Sequence, residues 1–178
     1  MQKRIKMIFS ILFYFGADND SSFVSLIQFR VNKKNNKMTN KIYPCLWFDG
    51  QAQSAAKFYC SIFKNSKITA DNQMVVTFEL DGKKFIGLNG GPNFKFNEAV
   101  SFVLNCETQE EIDHHWNALI ADGGQEGKCG WLQDKFGVSW QIVPTVLPKL
   151  LSDPTRAQKV MKVYMKMKKF DIKALENA

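Results

Sequence analysis

The side chains most able to do chemistry in this 178-residue chain are two histidines, four cysteines and a set of tryptophans. His114 and His115 are adjacent, and adjacent helical positions point about 100° apart, so the pair cannot chelate one ion together. Glu111 and His114 form one Glu-x-x-His pair on a helical face. Di-iron bundles need two such pairs and further glutamates, so surface histidines beside Glu110 and Glu111 are the reading preferred here. No G-x-S-x-G accompanies a histidine, which removes the nucleophile-elbow hydrolases. Cys45, Cys60, Cys106 and Cys129 contain no C-x-x-C, so neither a zinc site nor a thioredoxin motif is expected, and reduced thiols in the cytoplasm are. Gly90-Gly91 and Gly123-Gly124 lack the strand-to-helix context and the Lys-Ser/Thr of phosphate loops, and read as turns. Nothing resembles an S-adenosylmethionine site. Trp47, Trp131 and Trp140 fall on or beside expected strands and Trp116 on a helix; a strand-borne tryptophan at the rim of a cup could stack a flat ligand.

The elements that position these residues repeat. Lys41–Asp49 reads as a strand, Gln51–Phe63 as an amphipathic helix, and Lys67–Ala70, Gln73–Leu80 and Lys84–Asn89 as strands, with Asp81-Gly82 a hairpin turn. The order then recurs about 57 residues later. Ala99–Cys106 is a strand and Gln109–Ala121 a helix opened by a Thr108/Glu111 capping box. Gln125–Cys129, Trp131–Asp134 and Ser139–Pro144 are the last strands. Each half is β-α-β-β-β, and a repeat of this period takes precedence over any other fold assignment. Asp153-Pro154 then starts a C-terminal helix over 153–170, with a lysine face and with Met161, Met165 and Met167 expected to pack in the core or in a dimer.

Charge and hydropathy set the boundaries. The formal charge is +7, but residues 1–37 hold seven basic and two acidic groups, leaving 17 basic and 15 acidic for the rest. That nearly neutral body has no basic stripe, and no nucleic-acid partner is expected. Residues 1–37 read as a leader or a disordered extension ahead of Met38. A secretory signal, suggested by basic Met1–Lys6 and apolar Met7–Phe15, is the alternative, and a membrane-surface helix a third. No apolar run reaches the length of a bilayer span, and residues 38–178 are expected to have no membrane partner.

The segments PCLWFDGQAQSAAKFY (44–59), FELDGKKFIGLNGGP (78–92), FKFNEAVSFVLNC (94–106), CGWLQDKFGVSWQIVP (129–144) and DIKALENA (171–178) resemble the PhnB-like branch of the vicinal oxygen chelate superfamily. Its members are often labelled demethylubiquinone methyltransferase-like, and the superfamily includes glyoxalase I and bleomycin-resistance proteins. The resemblance implies an α+β fold with domain 38–178. Module one (41–92) and module two (98–144) would form a curved mixed sheet around a cup, followed by the helix, commonly as a homodimer. It also implies metal ligands on four strands. Those positions fall near Pro44, near Asn89, on Ala99 and on Gln141, none of which supplies a strong donor to a transition metal. The expectation is therefore no metal and no other cofactor, with a neutral pocket for a small organic ligand. Its candidate residues are Leu46, Phe48, Phe85, Asn89, Ser101, Trp131 and Gln141. A register one residue different would substitute Cys45, Trp47, Leu88 and Trp140. A metal-dependent lyase or dioxygenase, or a methyltransferase, is the alternative function.

Overall fold

The computed structural model describes residues 41–178. The leader, signal and extension readings of residues 1–37 lie outside that range. Ile42–Ala178 forms one compact unit.

Module one begins with strand β1 (Cys45–Phe48), continues through helix α1 (Ala52–Ile62), and ends with β2 (Lys67–Asp71), β3 (Val75–Leu80) and β4 (Lys83–Asn89). Module two repeats the order as β5 (Ser101–Cys106), α2 (Gln109–Ile120), β6 (Gln125–Glu126), β7 (Trp131–Gln133) and β8 (Ser139–Pro144). Each module makes its own four-stranded mixed sheet, in orders β1-β4-β3-β2 and β5-β8-β7-β6. In both, the first strand pairs in parallel with the last, and the remaining pairings are antiparallel. The fold is α+β, as the repeat implied.

Each helix covers one sheet face. Ala52, Ala55, Ala56 and Tyr59 of α1 are fully buried against the sheet, while Val76, Phe78 and Leu80 alternate with half-buried neighbours along β3. Gly87 lets α1 approach β4 closely: a Cβ there would lie 2.9 Å from Val76 and 3.1 Å from Ala52. In module two, Ile112, Trp116 and Leu119 of α2 meet the side that holds Leu132, Trp140 and Ile142. The two helix-side cores join at the seam. Phe85 packs edge-on against Phe102 at 5.4 Å, and Phe63 stacks on Trp140 at 5.2 Å.

The C-terminal region differs from the single helix expected over 153–170. It forms three short helices, α3 (Leu147–Ser152), α4 (Ala157–Tyr164) and α5 (Ile172–Glu176). The chain turns after Tyr164 because Phe170 must reach the core, where its ring fits against Gly130; a Cβ there would sit 2.4 Å from it. Asp153 caps the turn that leads into α4, its Oδ1 accepting the Thr155 N–H at 2.9 Å and its carbonyl the Ala157 N–H at 2.8 Å. Met161 and Met165 stay exposed, whereas Met167 packs against the core.

Candidate functional site

The parity of each strand decides which side chains can meet a ligand. On β8, Trp140 and Ile142 face the helix, which leaves Ser139, Gln141 and Val143 on the open face. Pairing places Ser101 opposite Ser139, Val103 opposite Gln141, and Trp131 opposite Gln141 from the other side. Three of the sequence candidates, Ser101, Trp131 and Gln141, therefore share one surface. The Gln141 Nε2 donates to Ser101 Oγ at 2.8 Å. This leaves the Gln141 carbonyl free to accept and the Ser101 hydroxyl free to donate. Val103 beside them is 57% exposed, whereas Ser139 is 2% exposed and its hydroxyl has no partner. Asn105, Gln133 and Gln125 complete the same face, so the row is uncharged.

Module one places its candidates on the other side. Leu46, Phe48 and Phe85 are buried among α1, Phe78 and Phe136, in the helix-side core. Asn89 faces α1 too. Its Oδ1 accepts the Ala52 N–H at 2.9 Å, and its Nδ2 donates to Gln53 Oε1 at 2.8 Å and to the Gln73 carbonyl at 2.9 Å. It serves as the cap that α1 lacks, because Gln51 makes no side-chain capping bond. The open face of module one carries Cys45, Trp47, Ile86 and Leu88. Trp47 is held there by Phe94, edge-on at 4.9 Å, and by donating its Nε1–H to the Gly91 carbonyl at 2.8 Å.

The superfamily-type metal position does not fit this donor set. Pro44 and Ala99 carry no ligand atom, and Asn89 Oδ1 is engaged by the helix. Asn89 and Gln141 lie on opposite kinds of face in separate sheets, so they do not converge. Among the described residues, no group of three His, Cys, Asp or Glu side chains is arranged to hold an ion. No reaction step follows from a metal here.

Asp134 was not singled out as a chemical group by its sequence context, a short strand before a Phe-Gly turn. It is 3% exposed and accepts four hydrogen bonds. Tyr59 Oη (2.8 Å) and Trp140 Nε1 (2.9 Å) reach Oδ2, while the backbone N–H groups of Phe136 (2.9 Å) and Val138 (3.1 Å) reach Oδ1. Burial raises its carboxyl above the ordinary range, against those four donors. Burial, and then Asp134 itself, push the Tyr59 phenol well above its usual value. Both groups are sealed away from ligand; together they bolt α1 of module one to module two. Burial also pushes the Cys106 thiol up to about 11, so it is an inert packing group.

The family model described as 3-demethylubiquinone-9 3-methyltransferase matches residues 40–143. Among solved structures, a PhnB protein from Bacillus cereus is 33% identical with a TM-score of 0.55, over 60% of this chain and 100% of that one. A Pseudomonas aeruginosa protein is 20% identical with a TM-score of 0.50, over 58% of this chain and 96% of that one; it speaks to fold alone. No curated protein matches. Among the described residues, no helix is long and apolar enough to cross a membrane.

Proposed function

This chain belongs to the PhnB-like 3-demethylubiquinone-9 3-methyltransferase family of the vicinal oxygen chelate superfamily, and from there we propose that it binds a small, largely uncharged organic molecule on the open face of its second sheet. The observation that carries this reading is the Gln141–Ser101 hydrogen bond beside Trp131. It presents one acceptor and one donor at fixed positions next to an indole plane, which suits a flat ligand with a carbonyl or hydroxyl. The absence of charge along the row favours neutral ligands, since a desolvated ion would find no counter-charge on it.

A flat sheet face covers a ligand from one side, whereas small-molecule sites bury roughly 70–90% of the ligand surface. A second copy of the chain is the cover we propose. β1 and β5 are both sheet edges with free backbone groups, which a symmetric partner could approach.

A thermal-shift screen of neutral, charged and aromatic small molecules tests this directly, because ligand bound to the native state raises Tm by mass action. The expected hits are neutral and planar, and lose their effect in Gln141→Ala and Trp131→Ala. Hits that persist in both variants, or come only from ions, would contradict the assignment. Light scattering tests the cover, with a dimer expected; a monomer that still binds would remove the second copy from the proposal.

A further inference from the structure

We propose that the cleft at the seam of the two modules is a second binding site, one that takes a small organic cation with an apolar stem. It is a half-open cleft of about 510 Å³, a volume within the range of small-molecule sites. Its inner wall is apolar and aromatic: Ile62 and Phe63 at the end of α1, and Leu104 from β5. Phe63 is fixed between two rings, stacked on Trp140 at 5.2 Å and on His115 at 5.3 Å, so the wall is preformed. Charges line the rest unevenly, with Asp81, Glu110 and Glu111 against the single cation Lys64. The first-turn backbone of α2, and then Thr108, hold the Glu110 carboxyl below its ordinary range, which keeps it ionised at neutral pH.

An acidic rim alone would be an ordinary solvated surface. What distinguishes this one is that it opens onto a preformed aromatic wall. That wall includes a histidine whose burial favours the neutral form and whose Nδ1 is buried without a partner. A neutral imidazole adds no positive charge to repel a cation, and the apolar wall of Ile62, Phe63 and Leu104 takes the stem. The cleft shares only Asn105 with the row of the proposed ligand face and includes none of Ser101, Trp131 and Gln141. Leu104 lies three residues along β5 from Ser101 and points to the other side of the sheet.

The test is an NMR titration of the full chain with phenethylamine, with phenethyl alcohol and phenylacetate as neutral and anionic controls of similar shape. Wild type should show saturable shifts of His115 and Phe63 with phenethylamine, with Kd on the order of millimolar or tighter. The two controls should bind at least about fivefold more weakly, as should phenethylamine to Glu110→Lys, the effect of losing one ion pair. Asp81→Asn, which removes a second carboxylate from the cleft lining, supplies a second variant should Glu110→Lys fold poorly. Gln141→Ala should bind phenethylamine as wild type does, which separates this site from the sheet face. No saturable shift, equal binding of amine and alcohol, or indifference to both cleft variants would overturn the proposal.

Discussion

Modules one and two share topology, pairing and helix placement, yet use their polar side chains in opposite ways. In module two, α2 opens on its own cap: Thr108 Oγ1 accepts the Glu111 N–H at 3.2 Å, and Glu111 Oε2 accepts the Glu107 N–H at 2.7 Å. Its strands are free to send amides and hydroxyls to the open face. In module one, α1 has no such residue at its start, and the last strand supplies Asn89 in its place. The pairings Cys45–Ile86 and Val103–Gln141 occupy equivalent places in the two sheets, so where module two displays an amide, module one displays an isoleucine. The two strand amides thus differ in face as well as in use: Asn89 points to the helix and caps it, and Gln141 points to the open face and is available.

The largest effect expected from breaking this comparison is at the joint between the modules. Asp134→Ala would strand the Tyr59 hydroxyl, the Trp140 indole N–H and two backbone N–H groups. Urea unfolding should show a loss of about 3 kcal/mol or more, a buried carboxylate being removed from donors that cannot reach water. A loss below about 1 kcal/mol would mean the modules are held by ring packing alone.

Capping comes next. Asn89→Ala and Thr108→Ala should each cost about 1 kcal/mol, with Asn89→Ala fraying α1 and Thr108→Ala fraying α2 in hydrogen exchange. If Asn89→Ala left α1 protection unchanged while altering ligand binding, its amide would belong to a site and not to the helix.

A smaller effect is a pH slope. Burial and the neighbouring His114 hold the His115 imidazole below its ordinary value of 6.5. The neutral form is therefore favoured on folding, and the stability it contributes is full above pH 6.5 and lost as pH falls below that value. His115→Phe, which keeps a ring against Phe63, should flatten this part of the pH–stability curve; an unchanged slope would assign it to other groups. Smallest of all, Gln141→Ile, which copies module one into module two, should change stability by under about 0.5 kcal/mol while abolishing the ligand response on that face.

The repeat, both helices, the Asp81-Gly82 turn and the β8 boundaries were legible because period and turn chemistry are local properties. In module two the polar open face was also legible, since one parity carries Ser101, Ser139 and Gln141 and the other Phe102, Trp140 and Ile142. Module one offers no such contrast. Leu46, Phe48 and Phe85 on one parity face Cys45, Trp47, Ile86 and Leu88 on the other, and both sets are apolar enough to cover a helix. Which one does so is settled by Gly87, whose missing side chain admits α1. The Asp134 network and the seam cleft join residues far apart in sequence, and the break after Tyr164 depends on the distant Gly130. Neither kind of contact leaves a mark in local spacing.

The four tryptophans give the most direct test, because each indole N–H is a separate NMR probe. Trp131 lies on the open face of module two and Trp47 on that of module one, while Trp140 and Trp116 lie in the helix-side core. With a neutral planar ligand from the thermal-shift screen, the account predicts a saturable shift of the Trp131 indole, lost in Gln141→Ala, with Trp116 and Trp140 unmoved. A shift confined to Trp47, or one at Trp131 that survives Gln141→Ala, would contradict it.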